Sequence, residues 1–109
     1  MEQAVLHLND LARQRKQSGR LYLEFLRVPT MSIGLYVLGA GAADPQKPHR
    51  EDEAYYVVSG RGRIRIGSED SPVAPGTVVF VKAGVEHRFH DITEELTILV
   101  FFSPAESTG

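Results

Sequence analysis

The sequence predicts an all-β fold, an antiparallel sandwich or small barrel, preceded by one short helix. Short runs rich in β-branched, aromatic and apolar residues recur at spacings of about 8–12 residues, as strands of such folds do. Turn signals separate them, supplied by ten glycines and six prolines spread along the 109 residues. Arg63-Ile64-Arg65-Ile66 alternates strictly, the period-two pattern of a strand with one wet face. No long-period repeat, low-complexity segment or domain boundary interrupts the pattern, and 109 residues suit one domain.

The helix comes first. Asn9 reads as an N-cap with Asp10 behind it, Arg13, Arg15 and Lys16 fall in the last turn, and Gly19 stops the helix. Acid first and base last complements the helix dipole. The basic cluster Arg13, Arg15, Lys16 and Arg20 is best read as a solvated face rather than a phosphate patch. Strands are expected over 21–28 and 32–38, then a loop by composition from Gly39 to Pro48. Further strands fall at 53–58, ended by Ser59-Gly60, and at 63–66. After the Pro75-Gly76 turn come 78–81, 86–90 and 96–102. The chain divides into a helical segment at 1–20 packing on the barrel, the barrel at 21–104, and a flexible tail at 105–109.

Composition removes several function classes. The chain is 42% hydrophobic and 24% charged, too apolar for a disordered segment. A net charge of -2 lacks the basic excess of nucleic-acid domains. Without cysteine there is no disulfide, thiolate metal site or cysteine nucleophile. The longest uncharged stretch, 28–43, would make a helix of roughly 24 Å, short of the ~30 Å hydrocarbon core of a bilayer. Met1-Glu2-Gln3-Ala4 does not open a secretory leader, so a cytoplasmic protein without membrane or nucleic-acid partners is expected. No nucleophile elbow, phosphate-cradling glycine loop or dinucleotide fingerprint is present.

The chemistry gathers around four histidines, His7, His49, His87 and His90. His49 precedes Glu53 by four residues. In an extended segment positions 49, 51 and 53 share one side, because side chains alternate. His87 lies in a later segment, after a glycine turn. Two imidazoles and a carboxylate meeting in one cavity would form the set that holds Fe(II) or related ions with open coordination positions. Spacing alone leaves that convergence open. His90, at opposite parity to His87, is expected outside, and His7 on the surface. Tyr55 and Phe89 are by default barrel filling, with a pocket-lining role as the alternative.

Two segments carry a resemblance. His49 to Gly60 resembles the first motif of the cupin superfamily, in which a His, a following Glu and six further residues lead to a Gly, here Glu53 and Gly60. Gly76 to Asp91 is similar to the second motif, with Gly76, Gly84 and His87 in place and fifteen residues (61–75) between the motifs. The resemblance implies a small single-domain cupin of the type 2, conserved-barrel kind: an antiparallel jelly-roll barrel, often a homodimer. It also implies one divalent ion (Fe, Mn, Ni, Co, Cu or Zn) held by His49, Glu53 and His87. It does not imply a reaction, since cupins include dioxygenases, isomerases, lyases and sensing domains.

Three positions depart from the motifs: Lys47 where a first His is usual, Lys82 for a Pro and Asp91 for an Asn. An ammonium at position 47 could pair with Glu53 and partly replace the metal. Alternatively Lys47 points to water and Gln46 supplies a carbonyl oxygen as fourth ligand, with Glu51 or water as other candidates. The expected function is that of a small stand-alone cupin binding a divalent metal inside the barrel; one form of it is a metal-dependent enzyme of dioxygenase, isomerase or lyase type on a small polar or chelating substrate, with Tyr55, Phe89 and Glu51 at the substrate. The alternative is a non-catalytic small-molecule binding or sensing cupin. The exposed edge at 21–28 is the expected homodimer contact.

Overall fold

The β-rich runs fold into one antiparallel sheet that closes as a jelly-roll barrel. The structure, a computed structural model, describes residues 3–107. Helix α1 (Leu8–Ser18) leads into strands β1 (Tyr22–Val28), β2 (Met31–Leu38), β3 (Asp52–Ile66), β4 (Glu69–Val73), β5 (Val78–Val81) and β6 (His87–Ser103). The sheet order is β1-β2-β6-β3-β4, and β5 pairs with β3. Each pairing is antiparallel.

Two expected breaks turn out to be bends. The runs at 53–58 and 63–66 form the single strand β3, and those at 86–90 and 96–102 form the single strand β6. Ser59-Gly60 is not a turn. Gly60 takes φ +96°, and a Cβ there would stand 2.0 Å from the carbonyl oxygen of Glu95. The backbones of β3 and β6 therefore meet at a point only glycine allows. Further along β6, beside His90, Asp91 sits at φ 47°, the left-handed region that Asp tolerates. Arg61 pairs with Glu94 but Arg63 pairs with His90, so β6 spends extra residues while β3 advances by two. Such a bulge bends a strand and sharpens its twist without ending it. Strand β4 was not foreseen, because Glu-Asp-Ser-Pro-Val has little strand propensity. It forms as an edge strand against Gly62–Ile66, where Pro72 is tolerated.

The helix begins one residue before the expected cap. His7 is the N-cap, and its carbonyl accepts from the N–H groups of both Asp10 and Leu11, which places Asn9 inside the first turn. Gly19 caps the other end. Leu11 is buried, and together with Phe25, Ile33, Leu99 and Phe101 it lines the apolar space between the helix and the outer face of the sheet. Inside the barrel, Leu38, Tyr55, Val57, Ile64, Phe89, Leu96 and Ile98 form the core. Among the described residues no helix is long and apolar enough to cross a membrane.

Candidate metal centre

The segment around His49 enters β3, where Glu53 faces Val81 of β5 on one side and Phe102 of β6 on the other. That flanking leaves Glu53 no open edge, and it is 2% exposed. His87 opens β6 after the Ala83-Gly84 turn. Two bonds tie this turn to the first segment: the Gly84 N–H donates to the His49 carbonyl at 2.7 Å, and the Ala83 N–H donates to Asp52 Oδ1 at 2.9 Å. Residues far apart in sequence thus share one rigid corner of the barrel.

At that corner the ligating atoms of His49, Glu53 and His87 all lie within 4.8 Å of one another. His87 Nδ1 donates to the Val85 carbonyl at 2.9 Å, which leaves Nε2 unprotonated in the neutral ring and aimed at Glu53 Oε1, 2.8 Å away. His49 follows the same plan. Its Nδ1 faces Glu106 Oε2 at 3.2 Å, and its Nε2 faces Gln46 Oε1 at 3.2 Å and Glu53 Oε2 at 3.9 Å. Both rings are anchored through Nδ1 and both turn Nε2 inward. His87 Nε2 and both Glu53 oxygens are buried and make no properly aligned hydrogen bond. A buried carboxylate left so is costly, and a shared cation removes the cost. The donor set, two imidazoles and a carboxylate, fits a divalent transition ion.

Gln46 is oriented from behind. Its Nε2 donates to Asp44 Oδ2 at 2.8 Å, so Oε1 must face the other way, where it accepts from the Tyr55 hydroxyl at 2.8 Å and meets His49. Asp44 is the hub of this loop. It also accepts from the Tyr36 hydroxyl at 2.6 Å, the Gln46 N–H at 3.2 Å and the Phe89 N–H at 2.9 Å. Four donors on one carboxylate fix the loop against β2 and β6.

The electrostatics follow from these contacts. Glu106 accepting from His49 holds that imidazole above its usual range, against the opposing pull of partial burial. Burial draws His87 down, but Glu53 and the Val85 carbonyl outweigh it and leave the net shift upward. Burial, assisted by the charge of Glu53, pushes the Tyr55 hydroxyl well up.

The other residues singled out from sequence fall as follows. Lys47 is exposed, and Glu53 finds its ionic partners in His49 and His87, so the alternative Lys47–Glu53 pair does not form. The irregular Pro45–Pro48 loop breaks the alternation that would have turned Lys47 inward. Glu51 is buried with Oε1 unpartnered, yet stands outside the ligating group. Tyr55 and Phe89 pack edge to face at 5.0 Å in the core. The cavity beside His49, about 230 Å³, is lined instead by Tyr22, Tyr36, Gln46, Phe102 and Glu106 among others. His90 lies outside, 2.7 Å from Asp70.

Sequence reading missed Asp44, Tyr22, Tyr36 and Glu106. Asp44 carries one usable signal: an Asp before Pro-Gln can bond the backbone two residues on, and does. Glu106 carries none. The stretch 105–109 reads as a tail, yet Ala105 and Glu106 are held against the β1–β2 hairpin. The Ala105 and Glu106 N–H groups donate to the Pro29 carbonyl and Ser32 Oγ, and Arg27 Nη2 donates to the Glu106 carbonyl. Thr108 and Gly109 lie outside the described residues.

Comparison with known proteins places the fold. The cupin domain family matches residues 34–102, so this chain belongs to the cupin family. An uncharacterized protein of Streptomyces coelicolor is 54% identical over 103 residues, covering 94% of this chain and 98% of that protein. Among solved structures, TT1209 from Thermus thermophilus superposes with a TM-score of 0.76 at 26% identity, covering 93% of this chain and 97% of the other. A cupin 2 conserved barrel domain protein from Rhodopseudomonas palustris gives a TM-score of 0.70 at 20% identity, covering 79% and 61%.

Proposed function

We propose that this cupin holds one divalent ion through His49, Glu53, His87 and Gln46 and works as a metal-dependent enzyme on a small polar or chelating substrate. The observation that carries the reading is the pair of histidine rings, each fixed through Nδ1 and each turning Nε2 toward a buried carboxylate without hydrogen bonds. A bound ion would supply Lewis-acid polarisation or dioxygen binding at its open positions, which suits dioxygenase, isomerase or lyase chemistry. The chain supplies the rest. Glu53 offsets positive charge, Gln46 presents a carbonyl oxygen held by Asp44, and the apolar walls Val100 and Phe102 exclude water beside His49.

The cavity also sets the substrate's size. At about 230 Å³ it falls below the ~300–1,000 Å³ of drug-sized sites, so it takes a small molecule. Tyr22 lines it with a buried hydroxyl that has no partner, a group poised for a polar atom of that molecule. The residues facing the substrate are therefore Tyr22, Tyr36 and Gln46 in this proposal, rather than Tyr55 and Phe89.

The test is elemental analysis and calorimetric titration of protein purified without a metal-affinity tag. The wild type is expected to take up one ion per chain, and Glu53→Ala and His87→Ala to lose it. Any turnover found in a substrate survey should vanish with chelator and return with the ion. A wild type that binds none of Mn, Fe, Co, Ni, Cu or Zn overturns the proposal. We propose further that the protein is a cytoplasmic homodimer. The free outer edge of β1 supports this, since an unpaired strand edge invites a second chain. A monomer at all concentrations in size-exclusion chromatography with light scattering would refute the dimer.

A further inference from the structure

We propose that Glu106, carried by the C-terminal segment, is a positioning residue for the metal centre: its carboxylate holds His49 through Nδ1 so that Nε2 faces the ion. The inference rests on the metal reading above, but concerns a residue outside both cupin motifs and beyond the barrel strands.

Three observations converge on it. The first is the contact, Glu106 Oε2 to His49 Nδ1 at 3.2 Å, with both side chains largely withdrawn from water. A metal-binding His commonly gives its second N–H to a carboxylate or carbonyl, which fixes the ring and makes it a better donor. His87 already has such a partner in the Val85 carbonyl. Among the described residues no backbone carbonyl meets His49 Nδ1, and Glu106 stands there instead.

The second observation is how Glu106 arrives there. After Ser103 the chain leaves the sheet and crosses the hairpin of β1 and β2. Ala105 N–H donates to the Pro29 carbonyl at 3.4 Å, Glu106 N–H donates to the fully buried Ser32 Oγ at 2.9 Å, and Arg27 Nη2 donates to the Glu106 carbonyl at 2.5 Å. These bonds use the backbone on both sides of Glu106 and leave its carboxylate free to point inward. Arg27 Nη1 in turn donates to Glu24 Oε1 at 2.6 Å. The segment acts as a strap that brings the Glu106 carboxylate to His49 Nδ1.

The third is the cavity. Glu106 stands on its wall together with His49 and Tyr22. The strap therefore couples His49's orientation to the wall that a substrate would touch, and a tail that lifts would loosen both at once.

The experiment is a Co(II) titration followed by the visible ligand-field spectrum, on the full-length wild type, Glu106→Ala and Glu106→Gln. Loss of a partner of this kind weakens metal binding about 10–100-fold. Glu106→Ala is expected to lose at least about 10-fold in affinity and to change the cobalt spectrum. Glu106→Gln keeps an oxygen that can accept from Nδ1–H, and is expected to recover most of the affinity and the wild-type spectrum. That rescue is not expected if Glu106 merely ties down the tail. A second readout needs no metal: 15N NMR of the His49 ring in its neutral form should place the proton on Nδ1 in the wild type and show it redistributed in Glu106→Ala. If wild type and Glu106→Ala bind cobalt equally, the positioning role is overturned while the metal centre stands. If the wild type binds no cobalt or other ion, the metal reading falls and takes this inference with it.

Discussion

Asp44 is the residue on which the geometry of the centre leans most, although it ligates nothing. One carboxylate accepts from two backbone N–H groups, a tyrosine hydroxyl and the Gln46 amide. In Asp44→Ala the Tyr36 hydroxyl and the Phe89 N–H lose their acceptor inside a half-buried loop. Each orphaned donor costs about 1–3 kcal/mol, so a loss of about 2–6 kcal/mol in stability is expected by denaturant unfolding. The Gln46 amide is also freed to turn, and metal affinity should fall with it; an Asp44→Ala protein as stable as wild type would refute the hub role. At this scale the sequence was informative where spacing carries meaning. His49, Glu53 and His87 stand at motif positions, and the structure gathers all three. Asp44 and Glu106 were illegible because their roles depend on where a loop and a tail come to rest. Neither neighbourhood has a periodicity from which that could be read.

The strands show the same division. Seven β-rich runs are visible in the sequence, but the continuity of β3 and β6 is not, because Ser59-Gly60 looks locally like a turn. Only the approach of Glu95 distinguishes a bulge from a stop. Gly60→Ala and Gly76→Ala separate the two effects. Both glycines have positive φ, +96° and +92°, but a Cβ at position 76 meets nothing within 4 Å. Gly76→Ala should therefore cost only the backbone penalty, about 1–2 kcal/mol. Gly60→Ala adds a clash with backbone that cannot move aside, and about 3 kcal/mol or more is expected. Equal costs in thermal unfolding would mean that β3 and β6 do not pack so closely.

The β3–β4 hairpin carries its own pH dependence. Slight desolvation pushes the Asp70 carboxyl up, but Arg63 at 2.8 Å and His90 at 2.7 Å outweigh it and hold it below 3.8. A lowered carboxyl pKa favours the fold above the unfolded-state value, and the benefit disappears as pH falls through the folded-state value. The stability advantage of wild type over Asp70→Asn should thus be full near neutrality and shrink below pH 3.8. An advantage that stays constant to low pH would rule out this pairing.

For the whole molecule, an ion at this centre would act as a cross-link. Its ligands come from the entry to β3 and the start of β6, the two longest strands, which pair with each other at the centre of the sheet and carry the other strands on their outer sides. Unfolding any part of that pair would release the ion, so binding should stabilise the domain as one unit. The gain is set by mass action: at about 100 times Kd it amounts to about 2.7 kcal/mol. For a domain of this size each kcal/mol moves Tm by roughly 4–8 °C, so a rise on the order of 10–20 °C is expected on saturation. Chelation should reverse it, and Tm should climb steadily with the logarithm of free ion in the wild type. Glu53→Ala tests whether the effect belongs to this site. That variant loses the carboxylate ligand, so its Tm should not respond to added ion. If Tm in the variant rises with metal as it does in the wild type, the ion binds elsewhere on the surface and the barrel is not clamped through His49, Glu53 and His87.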